Sequence, residues 1–224
     1  MFKNRTDAGE KLAAALHHLK QEDPVVVALP RGGVPVAFEV AKALEAPLDI
    51  ILIRKIGAPG QPELAVGAVT DGDHVEIVIN ADLANATGAT ADYIERQKEV
   101  ELKKNEQRRA SYFKNLVRPD IEDRTVIVID DGIATGASIR VAVKAFRHLG
   151  ARRLIVAVPV APPGALESLQ HEVDEVVCLH TPEFFPAVGA FYRDFTQTSD
   201  EDVIDLLKRA AMSVRPQGRS PRNE

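Results

Sequence analysis

Residues 126–138 read VIVIDDGIATGAS and gather the chain's strongest chemical potential in one place. Asp130 and Asp131 directly follow four apolar β-formers, Val126, Ile127, Val128 and Ile129. A continuous apolar run of this kind predicts a strand buried on both faces, as in a parallel sheet. Its two acids then lie at the strand's carboxyl end, where open α/β sheets bind ligands. The loop Gly132-Ile133-Ala134-Thr135-Gly136-Ala137-Ser138 leads into a helical pattern. Free N–H groups and the dipole at a helix N-terminus favour a phosphate. A phosphate cradle beside two carboxylates suits a ligand carrying both a phosphate and sugar hydroxyls.

A second loop has compatible chemistry. The apolar run Val25 to Leu29 ends in Pro30-Arg31-Gly32-Gly33, and a helix-like stretch runs from Val34 to Leu44. Paired glycines let backbone N–H groups approach an anion closely, and Arg31 adds a fixed cationic fork. Taken alone, Arg31-Gly-Gly is also compatible with an ordinary tight turn, and Asp-Asp-Gly with a surface βα turn. A nucleotide P-loop is ruled out because no Lys follows Gly136. A response-regulator receiver also puts acids at strand ends, but it is shorter than this chain and has no use for Thr-Gly-Ala-Ser.

The elements that must position these loops are legible as alternating patterns. Thr6 or Asp7 is the expected cap of a first helix with the stripe Leu12, Ala15, Leu16 and Leu19. Leu48 to Ile53 predicts a second buried strand that ends in Arg54-Lys55 and a Pro/Gly-rich loop, residues 57–63. Leu64 to Val69 and Val75 to Ile79 flank Asp71-Gly72 and predict a hairpin. A long polar helix is expected after Thr87–Ala91, through about Phe113; its mixed charges suit a solvated face, a subunit contact or a closing segment. After the 126–138 stretch a helix should end at Gly150, followed by a strand at Leu154–Val160, a short helix from Pro162-Pro163 and a strand at Glu175–Leu179. Aromatic residues then cluster between His180 and Phe195, either as a core plug or as a stacking surface for a planar group. A last helix is expected over Asp202–Met212, and Ser213–Glu224 reads as a disordered tail.

Composition sets outer bounds. With 224 residues, 45% hydrophobic and 27% charged, the chain can build one α/β domain with elaborations. We read residues 1–212 as that domain. A net charge of −5 argues against nucleic-acid binding. The single cysteine, Cys178, lies in an apolar run, reads as inert core and fits a reducing cytoplasm. No signal peptide is apparent at the N-terminus, and no apolar run approaches the roughly 20 residues of a membrane span. No CxxC or HxxxH spacing suggests a dedicated metal site.

The 126–138 stretch closely resembles the PRPP-binding motif of the type I phosphoribosyltransferases: four hydrophobics, two acids, a short variable stretch, then Thr-Gly-small-Ser/Thr. PRPP is ribose 5-phosphate with pyrophosphate on C1. The resemblance covers roughly Val25 to Asp194 and implies an α/β fold: a mostly parallel sheet with helices on both faces, a lid, insert or flexible-loop region at 56–122 and a small C-terminal hood at 180–198. It implies that Asp130 and Asp131 face the ribose hydroxyls and that Gly132, Ile133, Ala134, Thr135, Gly136, Ala137 and Ser138 hold the 5-phosphate. Pro30, Arg31, Gly32 and Gly33 look like the family's pyrophosphate loop, which commonly contains a cis peptide; by resemblance that bond would be Pro30–Arg31. Arg54 and Lys55 fit a pyrophosphate-facing position. Asp130, Asp131 and Arg31 are the expected catalytic residues, and Phe184, Phe185, Val188 and Tyr192 the expected acceptor hood.

The implied reaction is Mg²⁺-dependent transfer of the phosphoribosyl group from PRPP to a nucleobase-like nitrogen, in a cytoplasmic homodimer. Mg²⁺ would be held largely by the substrate and water, with Asp130 and Asp131 contributing only through water. Hypoxanthine-guanine-type members carry a Lys after the strand matching Leu154–Val160; here Ala161-Pro162-Pro163-Gly164 stands there, a departure from purine salvage enzymes. The chain looks most like the group known only as predicted phosphoribosyltransferases, sometimes fused to a hydrolase. A PRPP-binding regulator without turnover is the alternative reading, and a PRPP hydrolase with water as acceptor a third.

Overall fold

A computed structural model describes residues 1–70, 75, 77–114 and 116–213. Its centre is a parallel sheet of β1 (Val25–Ala28), β2 (Leu48–Ile50), β6 (Thr125–Ile129), β7 (Arg153–Val160) and β8 (Glu175–His180) in the order β2-β1-β6-β7-β8. All five β6 residues are buried, as their unbroken apolar run requires. Alternate strand residues feed opposite cores, the period-two consequence of the pleat. Val26, Ala28, Ile127 and Ile129 pack with α1 (Arg5–Ala15), α2 (Gly33–Leu44) and α7 (Asp200–Ser213). Val25, Val27, Val126 and Val128 pack with α5 (Ala137–His148) and α6 (Pro163–Gln170) on the other face. The α/β architecture inferred from the sequence is therefore the one observed.

Strand order positions the site. From β1 the chain steps outward to β2; from β6 it steps the other way, to β7 and β8. Order thus reverses between neighbours β1 and β6, and ligands of open α/β sheets bind at such a switch point. The pair is in register, Val25 opposite Val126 and Ala28 opposite Ile129, so both carboxyl ends finish at the same level.

The segment between β2 and β6 departs most from the sequence expectation. β2 stops at Ile50 rather than Ile53, and Ile53 opens β3 (Ile53–Ala58) of a separate antiparallel sheet with β4 (Gln61–Thr70) and β5 (Ile77–Ile79). Arg54 and Lys55 therefore lie within β3 and not at the end of a core strand. The anticipated 57–63 loop is mostly strand, reduced to a turn at Pro59-Gly60, where Gly60 takes φ 71°. Two apolar runs with a Pro/Gly break between them pair more favourably with each other than either could as an unpartnered extension of β2. The β4–β5 hairpin is present; its connector, residues 71–74, lies outside the described residues.

Helices α3 (Ala81–Thr87) and α4 (Ala91–Tyr112) cover this second sheet, with Ile56, Val66, Val69 and Ala84 as its core. No sequence pattern announced α3; Asn80 caps it by accepting from Leu83 N at 3.1 Å. α4 matches the expected long polar helix, capped by Thr90.

Smaller differences are local. Asn4, not Thr6 or Asp7, caps α1, accepting from Asp7 N at 3.0 Å. Ala15 is exposed, because α1 ends there and a 3₁₀ turn carries Leu19 back into the core. Cys178 is half-buried rather than fully internal. α7 begins two residues before Asp202 and includes Ser213, while residues 214–224 lie outside the described residues. Among the described residues no helix is long and apolar enough to cross a membrane.

A buried charge fixes the outer edge of the main sheet. Asp49 of β2 is 2% exposed and receives Arg118 Nη2 at 2.9 Å, while the guanidinium lies 4.7 Å from the Phe113 ring centroid. Burial pushes the Asp49 carboxyl up, and Arg118 opposes that push. A raised carboxyl contributes stability at low pH and loses it as pH rises. Arg118→Ala should therefore destabilise the fold by about 1–3 kcal/mol near neutral pH, the cost of a buried polar group left without its partner. The loss should shrink in mild acid, where Asp49 takes a proton. Denaturant melts at the two pH values measure the difference.

Candidate functional site

The loops after β1 and β6 form one surface at the switch point. Leu29 N donates to Ile129 O at 2.9 Å and continues the β1–β6 ladder by one residue. The chain then passes through a cis peptide bond at Pro30–Arg31, the position the family resemblance implied, and turns into α2 as Gly33 N donates to Leu29 O at 3.0 Å. Contact with the acids is extremely close. A Cβ on Gly32 would lie 2.1 Å from Asp131 Oδ2, and one on Gly33 would lie 2.7 Å from Ile129 O and 3.0 Å from Asp130 Cα. Only glycine fits at either position.

The two carboxylates have different surroundings. Asp131 N donates to Asp130 Oδ1 at 2.8 Å. Burial, and then the neighbouring Asp131 charge, pushes the Asp130 carboxyl well above the usual range. Burial also raises Asp131, but Arg5 opposes it. Arg5 donates from Nε to Asp131 Oδ2 at 2.8 Å, and its Nη2 lies 2.7 Å from the same oxygen. Tyr192 Oη donates to Asp131 O at 2.6 Å. Burial and the nearby Asp131 charge raise that phenol, so it stays protonated and remains a donor.

The 132–138 loop divides into a fixed half and an open half. Gly132 and Ile133 are buried, and Ile133 N donates to Val160 O at 2.9 Å. Ile133 therefore anchors the loop rather than offering a free amide. Ala134 and Thr135 are exposed and Ser138 is half-buried. Gly136, at φ 75°, is the cap position of α5, and no side chain caps the helix, so its first-turn amides at Ala137 and beyond face an open cradle.

The remaining expected residues are placed as follows. Arg31 Nη1 lies 3.7 Å from Asp200 Oδ1 at the start of α7. Asp200 also meets Arg108 Nε of α4 at 3.6 Å and accepts from Tyr112 Oη. Arg54 is half-buried and Lys55 exposed on β3. Phe184 is 82% exposed. Phe185 stacks on Phe191 at 5.2 Å, and Val188 closes against Gly132, where a Cβ would lie 2.6 Å from Val188 Cγ1. Tyr192 is buried, with its ring 5.4 Å from that of Phe2 and 5.1 Å from that of Phe195. In this position it braces Asp131 and presents no free ring face.

Sequence reasoning missed Arg5, Arg108 and Asp200. None belongs to a motif, and a single charged residue on a helix carries no signal of what the fold brings opposite it.

With this geometry established, comparison with known proteins is informative. The family model for the phosphoribosyl transferase domain matches residues 2–196. The chain belongs to that family. A Mycobacterium tuberculosis protein, named provisionally as a phosphoribosyl transferase, is 46% identical over 214 residues, covering 94% of this chain and 47% of the relative. The chain thus spans about half the length of such relatives. A uracil phosphoribosyltransferase from Lactobacillus gasseri is 38% identical over only 58 residues, 26% of this chain and 28% of the enzyme. The crystal structure of a Thermus thermophilus protein, TT1426, superposes with a TM-score of 0.82 at 44% identity, covering 94% of this chain and 99% of that one. This phosphoribosyl transferase domain therefore has a close structural counterpart over nearly its whole length.

Two stability outcomes follow from the acid pair. Gly32→Ala forces a methyl group onto Asp131 and should cost about 1–3 kcal/mol, typical of overpacking, read as a lower melting temperature. Asp130→Asn should have the opposite effect. A raised carboxyl destabilises the fold as pH climbs above its unfolded value, so removing the charge should raise the melting temperature near neutral pH. That gain should vanish in mild acid, where Asp130 is already protonated; thermal melts across pH test it.

Proposed function

We propose that this domain transfers the 5-phosphoribosyl group of PRPP to a ring nitrogen of a nucleobase-like acceptor and releases pyrophosphate in the cytoplasm. One observation supports the reading: the backbone of Gly32 and Gly33 is pressed against the Asp130–Asp131 pair, so a glycine loop, two acids and a helix N-terminus without a side-chain cap share one edge. A substrate that fits this edge has a phosphate at one end, hydroxyls in the middle and a second phosphate group at the other.

In the reaction the ribose C1–oxygen bond to pyrophosphate breaks and a C1–nitrogen bond forms. The acceptor nitrogen's proton leaves to solvent. Positive charge builds on the ribose and negative charge on the leaving group. Residues 30–33 supply preorganised donors to that negative charge, with Arg31 as its cation. Arg54 and Lys55 are proposed to reach it from β3. Asp130 and Asp131 orient the ribose hydroxyls and offset its positive charge. Residues 134–138 hold the 5-phosphate, a remote contact that orients the reacting carbon, with Gly132 and Ile133 as the fixed base of the loop. Phe184, Phe185 and Val188 border the acceptor side.

Among the described residues no group of three or more His, Cys, Asp or Glu is arranged to hold a metal ion. The donor set instead suits Mg²⁺ carried by the substrate's pyrophosphate and water, with Asp130 and Asp131 reaching it only through water. Bound in this way it would supply Lewis-acid neutralisation of the leaving group.

The test is pyrophosphate release from Mg-PRPP against a panel of purine and pyrimidine bases, with a no-base control and PRPP affinity in parallel. Release with one class of base is expected. Replacing both Asp130 and Asp131 by Asn should cut turnover by about 10²-fold or more, the scale of losing a preorganised electrostatic contact. Tight PRPP binding with no release from any base would favour a PRPP-binding regulator, release without base a hydrolase, and neither binding nor release would overturn the phosphoribosyl reading.

A further inference from the structure

Arg5 lies outside both loops, yet it makes the closest charged contact with the acid pair. Its position has a clear origin in the backbone. Phe2 N donates to Phe191 O at 2.8 Å, Arg193 N to Phe2 O at 2.9 Å and Asp194 N to Lys3 O at 2.9 Å. The N-terminal segment is thus laced along residues 191–194, and Asn4 then starts α1 with Arg5 as its first residue. Each part of the guanidinium has a partner. Nε and Nη2 both meet Asp131 Oδ2, at 2.8 and 2.7 Å. Nη1 donates to Thr196 O at 2.8 Å. The planar face lies 3.9 Å from the Phe195 ring centroid. The side chain is only 11% exposed.

We propose that Arg5 is a positioning residue that turns Asp131 toward the ribose and ties segment 194–196 to the acid, so that sugar recognition and hood placement form one mechanical unit. The proposal rests on the phosphoribosyl reading above. The fork occupies Oδ2, the oxygen that also abuts Gly32, and leaves Oδ1 for a sugar hydroxyl. Tyr192 fixes the backbone carbonyl of the same residue, so Asp131 is held at both ends. Arg5 is the cation that opposes the burial of the Asp131 carboxylate, and the Asp131 charge in turn acts on Asp130. Lysine cannot reproduce this arrangement: an ammonium can meet one carboxylate oxygen but cannot at the same time bond Thr196 O and stack flat on Phe195.

A double-mutant cycle and a spectroscopic probe test the two halves. Arg5→Met should weaken Mg-PRPP binding by about ten- to a hundredfold, the loss typical when a partner that orients a functional group is removed. On an Asp131→Asn background the same substitution should change binding by no more than about twofold, because its effect runs through Asp131. Arg5→Lys should recover only part of the loss. The chain contains no tryptophan, so Phe195→Trp places a single emitter against the guanidinium. Adding Arg5→Met should change its emission in the ligand-free protein, with circular dichroism confirming the fold. Equal losses on both backgrounds would overturn the action through Asp131, and unchanged emission would overturn the tie to segment 194–196. Failure of the unaltered chain to bind Mg-PRPP would instead defeat the phosphoribosyl reading, and the emission comparison would still decide whether Arg5 anchors that segment.

Discussion

The carboxyl end of β6 leaves room for nothing larger than hydrogen on the backbone of residues 32 and 33. A methyl group at either would collide with Asp131 Oδ2 or Ile129 O. This contact brings two separate loops to one edge, and most of the site depends on it. Under the proposed transfer, it would set how near an anion at residues 30–33 could come to a sugar at Asp130 and Asp131. Burial raises both acids, and the Asp131 charge raises Asp130 further. In that transfer, the developing positive charge on the ribose would offset the mutual repulsion of two such carboxyls side by side.

Around that contact the structure divides into a floor and walls. The floor is the parallel sheet, buried on both faces and registered so that β1 and β6 end together. The walls come from three places: the N-terminal segment with Arg5, the C-terminal segment with Tyr192 and Phe195, and α7 with Asp200. Asp131 receives support from the first two through Arg5 and Tyr192. Asp200 gathers Arg31, Arg108 and Tyr112 at one helix start. Arg31 and Arg108 are thus tethered to an acid that is itself 40% exposed, and under the proposed transfer an incoming pyrophosphate could compete for Arg31.

The aromatic residues of the C-terminal segment pack mainly against one another. Phe185 and Phe191 stack on each other, Phe2 and Tyr192 are buried, and Phe184 alone of these rings is largely exposed. Under the proposed transfer, with Ala161-Pro162-Pro163-Gly164 in place of a basic residue, Phe184 and Val188 would offer an acceptor apolar contact and shape rather than a charged handle. Selectivity for one acceptor would then come from fit, which discriminates less sharply than a built hydrogen bond.

The sequence by itself determined the parallel core and both functional loops, while the cis bond at Pro30–Arg31 was placed only through the family resemblance. It could do so because each is a local pattern: an apolar run, a glycine pair, acids at the end of a strand, and a motif of thirteen ordered positions. It failed at β2 and β3, where one apolar run had to be divided between two sheets, because strand pairing is set by partners far along the chain. It also carried no hint of α3, and it placed Tyr192 among the stacking aromatics when its hydroxyl braces Asp131. Only the tertiary structure decided which residues surround the acids. Arg5 stands 126 positions from Asp131, and no periodicity or spacing encodes an ion pair between the first turn of one helix and the end of a distant strand. That pairing comes from how the N-terminal segment lies along residues 191–194, a long-range hydrogen-bonded alignment that exists only once the sheet has folded.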